Sequence, residues 1–434
     1  MYNQKMETLS REDLHELQSR RLRALVQRVY ENVPFYKTKF DEMDLTPQDI
    51  KGIEDLYRLP FTVKQDLRDN YPFKLLATPM SEIVEIHASS GTTGKPTTVA
   101  MTKNDLSLWS EMSARALSCA GVNKNSVVQV SYGYGLFTGG FGAHYGTQSI
   151  GAAVLPMSVG NTRKQLMLMH DYKTTHLACT PSYAATLAEA LYNSGKTTND
   201  ISLQAGIFGA EPWSEELRHS IEEKLNLEAY DIYGLSEIMG PGVAMECSEH
   251  NGLHIWEDLF YPEIIDPNTG EVLPDGEEGE LVITTLTKEA LPLIRYRTRD
   301  ISSLSHEKCS CGRTHAKINR VKARTDDMLI IRGVNVFPSQ IESVILEVEG
   351  VEPYYTIIVS REGTLDNVEI QIEMSENFSY DKISSLERLE KTLKSRLQSV
   401  LGISSKIKLM EPRSLQRFEG KAVRVIDKRK EKNL

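Results

Sequence analysis

A run of small and hydroxylated residues followed by a lysine is suited to binding phosphate. The run comprises Ser89, Ser90, Gly91, Thr92, Thr93, Gly94, Lys95 and Pro96. Glycines let backbone N–H groups approach an anion closely, and the hydroxyl groups add hydrogen-bond donors. The spacing is not the G-x-x-x-x-G-K-[ST] pattern of a Walker A loop, which disfavours a kinase or a P-loop ATPase. The sequence therefore predicts a phosphate-binding loop of another kind, with an ordinary polar turn as the alternative.

Two cysteines separated by one residue, Cys309 and Cys311, can offer two thiolates to one metal ion. A structural zinc ion needs four ligands from cysteine and histidine. Cys247 and His254 are the best remaining pair, about 60 residues upstream. Three other histidines compete for the last position: His250, His306 and His315. We predict a zinc site formed by Cys247, His254, Cys309 and Cys311, with free reduced thiols as the alternative.

The overall composition is that of a globular protein without a nucleic-acid or membrane partner. The composition, 40% hydrophobic and 25% charged, is typical of a globular protein. The length of 434 residues predicts two or three domains. The net charge of -10 disfavours binding to a nucleic-acid backbone. Residues 1–18 lack the apolar core of a signal peptide, and no stretch approaches the roughly 18 apolar residues of a membrane span. Five cysteines are too few for a disulfide framework, so we expect a cytoplasmic protein. A homodimer is left open.

The elements that position the phosphate loop follow from the hydrophobic pattern. Between residues 127 and 240, short apolar runs end at Gly, Ser, Thr or Pro, and helix-like segments follow several of them. The runs are Val127–Val130, Ala152–Leu155, His176–Cys179 and Ile207–Phe208. Buried strands that alternate with helices predict a mostly parallel sheet, in which ligands bind beyond the carboxyl ends of the strands. Turn clusters at 266–270 and 274–276 predict a smaller antiparallel unit. After about residue 325, two helical faces and an alternating strand predict a compact α+β segment.

The segment SSGTTGKPT resembles the phosphate loop of the adenylate-forming superfamily, which includes acyl-CoA synthetases, luciferases and peptide-synthetase adenylation domains. Other segments resemble further motifs of this superfamily, in the same order: GAEP at 209–212, DIYGLSE at 231–237, YRTRD at 296–300, RTDD at 324–327, RGVNVFPSQIE at 332–342 and EGKA at 419–422. The runs YGYGLFTGG, GLHIWEDLFYPEIIDPNTGEVLPDGEEGELVITTL and DDMLIIRGVNVFPSQIE resemble the phenylacetate–CoA ligases, and this resemblance covers nearly the whole chain.

The resemblance implies an α/β fold with two domains. A large N-terminal domain of mostly parallel sheets with helices, residues 1–325, would include a small antiparallel unit at about 255–325. A small α+β C-terminal domain, residues 326–434, would rotate between the two steps of the reaction. Asp326 would be the hinge, because hinge residues absorb changes of φ and ψ. A salt bridge from Asp326 or Asp327 to Arg324 is the alternative.

The resemblance also implies an ATP-dependent aryl acid–CoA ligase. A carboxylate would attack the α-phosphate of ATP and release pyrophosphate, and the thiol of coenzyme A would then attack the acyl adenylate and release AMP. The implied cofactors are ATP, Mg²⁺ and coenzyme A, together with a structural zinc ion that some relatives lack. Two alternatives remain open: an adenylate-forming enzyme that uses an indolyl or other aryl acid or a non-CoA acceptor, and a non-enzymatic zinc-knuckle protein.

Two residues would act directly in catalysis according to the resemblance. Lys421 would contact the α-phosphate and the attacking carboxylate as a mobile point charge. Glu237 would hold Mg²⁺ on the triphosphate, because magnesium prefers hard oxygen ligands. The alternatives are a solvated lysine, like the nearby Lys428, Lys430 and Lys432, and a solvated loop glutamate.

The remaining implied roles concern the nucleotide and the acid. Asp300 would accept hydrogen bonds from the ribose hydroxyls, with an ion pair to Arg297 or Arg299 as the alternative. The other implied nucleotide-binding residues are Ser90, Gly91, Thr92, Thr93, Gly94, Ala210, Glu211, Pro212, Asp231, Ile232, Tyr233, Gly234, Ser236 and Arg324. Aromatic residues among glycines can enclose a flat ring. The implied acyl pocket comprises Tyr134, Phe137, Phe141 and Gly209, with ordinary core packing as the alternative.

Overall fold

The computed structural model describes residues 1–89, 96–321, 323–324, 329–331, 334–362, 365–376, 383–418 and 422–429. The predicted phosphate-loop residues 90–94, the hinge residue Asp326 and Lys421 lie outside the described residues. The domain boundary predicted at 325/326 also falls outside them and stays a prediction. None of the described helices combines the length and the apolar composition that crossing a membrane requires.

Helices at the start of the chain lead into a β-hairpin. The elements are α1 (Gln4–Glu7), α2 (Arg11–Asn32), α3 (Pro34–Glu42), α4 (Lys64–Asp69), β1 (Ile83–Ala88), β2 (Thr98–Thr102) and α5 (Lys103–Cys119), with short 3₁₀ helices at Pro47–Asp49, Ile53–Arg58 and Met80–Glu82. Helix α2 begins after Ser10, whose side chain accepts a hydrogen bond from the Asp13 N–H. Strands β1 and β2 are antiparallel, so the described chain enters and leaves the predicted phosphate loop at the same end of the hairpin.

Strands and helices then alternate, as the sequence predicted. The elements are β3 (Val127–Val130), α6 (Gly139–Ile150), β4 (Ala153–Pro156), α7 (Thr162–Asp171), β5 (His176–Cys179), α8 (Pro181–Asn193), β6 (Ala205–Gly209), α9 (Glu215–Leu225) and β7 (Glu228–Leu235), with a 3₁₀ helix at Thr198–Asp200. The strands pair in the order β4-β3-β5-β6-β7 and run parallel. Strands β5 and β6 are buried along their whole length, which is typical of parallel strands covered by helices.

The large sheet is mixed, whereas the sequence predicted a mostly parallel one. The next strands are β8 (Gly240–Glu246), β9 (Leu253–Ile255), β10 (Phe260–Ile265), β11 (Gly279–Thr285), β12 (Tyr296–Ser302), β13 (Leu304–Ser305), β14 (Lys317–Ile318) and β15 (Ala323–Arg324). Within the described ranges, β8, β9, β14 and β13 extend the sheet beyond β7 as antiparallel strands and bring it to nine. Residues 236–239 are too few for a parallel crossover, so β8 must return beside β7. A separate antiparallel sheet, β10-β11-β12-β15, lies where the smaller unit was predicted.

The C-terminal part has its own hydrophobic core. Its elements are β16 (Leu329–Ile331), β17 (Val334–Val336), α10 (Pro338–Leu346), β18 (Val351–Glu362), β19 (Leu365–Met374), α11 (Ile383–Leu401), β20 (Lys406–Met410) and β21 (Val425–Asp427). The predicted helical and strand faces, which include Ile341, Ile370 and Leu393, are buried together in this core. The second core separates the α+β part from the large sheet and confirms the predicted fold class.

Candidate active site

A cleft of about 680 Å³ opens at the carboxyl ends of the neighbouring parallel strands β6 and β7. Ligands of parallel sheets bind at this edge. Ten residues with predicted roles in binding nucleotide or acid line the cleft: Gly209, Ala210, Glu211, Pro212, Asp231, Ile232, Tyr233, Gly234, Asp300 and Arg324. They come from separate motifs that only the fold brings together, so the cleft is the candidate nucleotide site.

The backbone at the end of β6 is shaped for close contacts. A Cβ atom on Gly209 would lie 2.1 Å from the carbonyl oxygen of Ile232, so no larger residue fits here without displacing β7. Ala210 follows with a φ of 70°, a left-handed conformation that is uncommon outside glycine. Backbone strain of this kind is concentrated at ligand sites, which supports a binding role for residues 210–212.

Asp300 faces the cleft with its carboxylate contacted on two sides. The Tyr233 hydroxyl donates a 2.7 Å hydrogen bond to Oδ2, and Arg324 Nε lies 3.3 Å from Oδ1. Burial and the Asp300 carboxylate raise the pKa of Tyr233, so this hydroxyl stays a donor. Arg297, one of the alternative partners, pairs with Glu280 at 2.5 Å. Asp300 lines the cleft, where a carboxylate can accept ribose hydroxyls.

Glu237 is only 5% exposed, which excludes the solvated-loop alternative. Its Oε1 accepts a 3.2 Å hydrogen bond from Thr97 Oγ1, and Lys64 Nζ lies 3.5 Å from the same atom. Its backbone carbonyl accepts a 2.8 Å hydrogen bond from Lys288 Nζ. Burial lowers the pKa of Lys288 to about 8. A buried carboxylate held at side chain and backbone is well placed to bind Mg²⁺.

The described residues on both sides of the predicted phosphate loop lie near Glu237. Ser89 N–H donates a 3.0 Å hydrogen bond to the carbonyl of Thr97, which closes the base of the loop. The hydroxyls of Ser236 and Thr138 are 2.9 Å apart and share a hydrogen bond. The ends of the described chain at Ser89 and Thr97 therefore lie close to Glu237 and Thr138, next to Leu235 of the cleft lining.

Phe141 is the centre of an aromatic cluster near this end. Its ring centroid lies 5.2 Å from that of Tyr134, 5.4 Å from that of His87 and 5.9 Å from that of Tyr145. Phe137 is 45% exposed and, among the described ring contacts, does not join the cluster. His87 and Tyr145 carry no motif signal; only the packing of α6 against the β1 hairpin places them here.

Six further residues line the cleft without a role predicted from the sequence: Trp213, Leu235, Leu253, Ile318, Asn319 and Val321. Leu235 and Leu253 lie within segments that carry the resemblance, and Trp213 directly follows the GAEP segment. Ile318 ends a strand of two residues, too short for a recognisable pattern.

The profile of the AMP-binding enzyme family matches residues 14–287, and that of the AMP-binding enzyme C-terminal domain matches residues 333–429. The phenylacetate–CoA ligase of Thermus thermophilus is 49% identical over 99% of this chain and 100% of that protein. That of Escherichia coli K12 is also 49% identical, over 98% of this chain and 97% of its own length. The chain belongs to the phenylacetate–CoA ligase family. It is therefore an AMP-forming acid–thiol ligase.

The ligase also superposes on crystal structures of a 2-hydroxyisobutyryl-CoA ligase. The TM-score is 0.92, at 28% identity, with the postadenylation state in complex with R3-HIB-AMP, over 98% of this chain and 92% of the other. It falls to 0.72, at 29% identity and the same coverage, with the thioesterification state in complex with 2-HIB-AMP and CoA. The two parts of the ligase are thus arranged as in the postadenylation state.

Polar contacts between the large domain and the C-terminal part of the ligase hold this arrangement. Arg417, which also pairs with Glu373 of β19 at 2.6 Å, contacts Glu189 of α8 at 3.1 Å. The N–H of Ala422 donates a 3.0 Å hydrogen bond to Oε2 of Glu211, which lines the nucleotide cleft. The contacts of Arg417 with Glu189 and of Ala422 with Glu211 must break if the C-terminal part rotates.

The ligase brings the four predicted zinc ligands together. The ligand atoms of Cys247, His254, Cys309 and Cys311 all lie within 4.8 Å of one another. Cys247 Sγ is 3.7 Å from Cys309 Sγ, and Cys311 Sγ is 3.4 Å from His254 Nε2. Thiolates around a tetrahedral zinc ion, each with a Zn–S bond of ~2.3 Å, lie about 3.8 Å apart. The separations therefore fit a single ion.

His254 and Cys311 have protonation states that suit a metal, whereas burial raises the pKa of the Cys247 thiol. His254 Nδ1 lies 3.1 Å from the His315 carbonyl and donates to it, which leaves the Nε2 lone pair for a metal. Although burial opposes the shift, the neighbouring His254 side chain and the Arg313 backbone N–H lower the pKa of Cys311 to about 5. This favours the thiolate, the form that binds metal.

The competing histidines have other partners in the described part of the chain. His250 Nε2 lies 3.0 Å from a Glu228 carboxylate oxygen, and His306 Nδ1 lies 2.7 Å from one of Asp275. His315 Nε2 donates a 2.9 Å hydrogen bond to a backbone carbonyl. His254 is therefore the histidine of the candidate metal group.

Proposed function

We propose that the acid is phenylacetate and that the thiol is coenzyme A. The observation that carries the choice of acid is the aromatic cluster around Phe141, which offers ring edges and faces to a flat aryl group. Thr138, three residues earlier on the chain, is bonded to Ser236 beside Glu237. An aryl ring in the cluster would therefore direct its carboxylate towards the phosphate end of the cleft. The two phenylacetate–CoA ligases that are 49% identical to this chain support the same substrates.

The first step requires the α-phosphate of ATP to be held in line with the carboxylate. Asp300 would accept the ribose hydroxyls, with Tyr233 fixing the orientation of its carboxylate. Residues 209–212 and 231–234 would enclose the adenine between the ends of β6 and β7. Bound Mg²⁺, held by Glu237, would neutralise charge on the leaving pyrophosphate. Lys421 would neutralise charge that develops between carboxylate and α-phosphate.

The second step requires space for the thiol beside the acyl adenylate. In the arrangement described, Glu211 and Glu189 hold the C-terminal part against the large domain. Rotation at Asp326 would release these contacts, withdraw Lys421 and open the cleft to coenzyme A.

A screen of arylacetic and indolylacetic acids tests this proposal. We expect phenylacetate to give the highest kcat/KM for release of pyrophosphate and AMP, and coenzyme A to convert the adenylate into thioester. A benzoate or an indolyl acid as the preferred substrate would contradict the choice of acid. Formation of ADP in place of AMP would contradict the chemistry.

We also propose a structural zinc ion held by Cys247, His254, Cys309 and Cys311. The donor set, the separations of the ligand atoms and the free Nε2 of His254 support it. The ion would join the end of β8, strand β9 and the connection from β13 to β14, so it would clamp the antiparallel half of the large sheet. The ligand atoms form a closed set of four, which suits a structural site better than a catalytic one.

Metal analysis checks the zinc proposal. Purified protein is expected to contain about one zinc per chain, and Cys309→Ser is expected to lose most of it together with several degrees of Tm. Cys119→Ala is the matched control, because this buried cysteine lies outside the metal group. It should keep its zinc. Protein that holds no zinc after preparation with added zinc would rule the site out.

A further inference from the structure

Lys64 stands beside the candidate magnesium ligand, although no motif indicated it. Its Nζ lies 3.5 Å from Glu237 Oε1, and its side chain is 34% exposed whereas that of Glu237 is 6% exposed. The ammonium group is therefore partly open to solvent, on the accessible side of a buried carboxylate. Such a position can admit a second anionic partner.

The backbone that carries Lys64 is fixed to the nucleotide site. Thr62 is fully buried, its N–H donates to the Arg295 carbonyl at 3.2 Å, and its carbonyl accepts from the Arg297 N–H at 2.9 Å. These bonds attach the chain before α4 to β12, the strand that contains Asp300. Lys64 is the first residue of α4, so its flexible side chain starts from a rigid base.

The ammonium group also lies near the described ends of the predicted phosphate loop. Thr97, the residue directly after the loop, donates to the same Glu237 oxygen that Lys64 approaches. Ser89, the first residue of the loop, is bonded to Thr97. A triphosphate bound by the loop would therefore bring its β- and γ-phosphates close to Lys64.

Electrostatic repulsion determines what happens to the ion pair between Lys64 and Glu237 when Mg²⁺ and ATP bind. Mg²⁺ on the Glu237 carboxylate repels an ammonium group held at the same oxygen, so the ion pair is lost. The lysine stem is long and its three N–H donors bind phosphate as a point charge. We propose that Lys64 exchanges Glu237 for the β- and γ-phosphates of Mg·ATP and returns to Glu237 after pyrophosphate leaves. This inference rests on the proposed adenylation reaction.

The two half-reactions separate this role from a merely structural one. Acyl adenylate and AMP lack the β- and γ-phosphates. Lys64 should therefore contribute to the binding of ATP and not to the binding of acyl adenylate or AMP. If the lysine only oriented Glu237 or shaped the cleft, its removal would change the affinities for AMP and ATP alike. The comparison of the two nucleotides is therefore the deciding measurement.

The experiment uses the full chain with Lys64→Ala, Lys64→Arg and the exposed control Lys74→Ala. KM for ATP is measured by pyrophosphate release, affinities for ATP and AMP by calorimetry, and thioester formation from synthetic phenylacetyl adenylate. We expect Lys64→Ala to weaken ATP binding by ~10- to 100-fold, which is the loss of affinity typical of a charge-assisted hydrogen bond. AMP affinity and thioester formation should change less than about twofold, and Lys64→Arg should retain most ATP affinity.

Two results would overturn the inference: unchanged ATP affinity in Lys64→Ala, or an equal loss for ATP and AMP. Retained AMP binding also shows that the variant is folded. Failure of the unsubstituted chain to release pyrophosphate with any acid would instead overturn the proposed function, so the two failures are distinguishable.

Discussion

Lys421→Ala is expected to stop formation of the acyl adenylate while leaving thioester formation from preformed adenylate intact. Lysine supplies a point charge between the α-phosphate and the attacking carboxylate, where negative charge is concentrated in the transition state. Removal of one such group costs about 10²- to 10³-fold in rate. In the proposed mechanism the C-terminal part turns away before the second step, so this step should not need the charge. Rapid-quench measurement of each half-reaction separately gives the two rates.

Lys428→Ala is the matched control, because Lys428 is an exposed lysine seven residues further along the same segment. It should retain both rates. A Lys421→Ala variant that loses both half-reactions to the same degree would contradict the role assigned to Lys421.

Ala422, the residue after Lys421, contacts the large domain, and this contact supports the prediction. Ala422 N–H is bonded to Glu211 Oε2 at 3.0 Å, and Glu211 Oε1 accepts the Ser182 N–H at 2.8 Å. One carboxylate thus connects the C-terminal segment to the N-terminus of α8.

The residues to which the sequence assigned nucleotide binding lie together in one cleft, because several of them follow buried strands. Gly209 ends β6 and must be glycine beside Ile232, and the residues after it inherit a fixed position. Asn319 and Lys64 were not predicted, because the packing of β14 and α4 brings each of them from a distant part of the chain. Trp213 directly follows the GAEP segment, but no role was predicted for it.

The large sheet shows a second limit of sequence patterns. Apolar runs predicted β3, β5 and β6 correctly, since parallel strands are buried on both faces. The same runs say nothing about direction, and the antiparallel half follows from the short connection after β7. The sequence already favoured His254 for the metal group, and the fold supports this choice over the competing histidines, because β14 pairs with β9 and places Lys317 opposite His254.

The structure brings together only part of the predicted acyl pocket. Tyr134 and Phe141 contact each other, whereas Phe137 is exposed. The pattern of aromatics among glycines does not show which rings meet, because helix α6 begins at Gly139 and turns only one face towards the β1 hairpin. Phe137 lies before this helix. His87 and Tyr145 complete the cluster from elements that the pattern did not connect.

Asp326→Pro is expected to impair thioester formation by roughly 10- to 100-fold and adenylate formation much less. Proline fixes φ near −65° and removes an N–H, and a misplaced proline costs ~3 kcal/mol. The described arrangement resembles that of the ligase structure in the postadenylation state, and Arg417 pairs with Glu189 of the large domain. A hinge that cannot change φ would retain this arrangement and prevent the rotation that the second step needs.

The control Asp326→Gly keeps the backbone free and should retain both steps, because glycine adopts every φ that a hinge requires. Glu189→Gln offers an independent check on the equilibrium between the two positions of the C-terminal part. It weakens the contact with Arg417 and leaves the hinge unchanged. If rotation limits the second step, this variant should form thioester at least as fast as the unsubstituted chain and adenylate several-fold more slowly. Its pair is partly exposed, so the effect should be smaller than that of the proline. Asp326→Pro with equal losses in both steps would place the hinge elsewhere, because a blocked rotation can only slow the step that follows it.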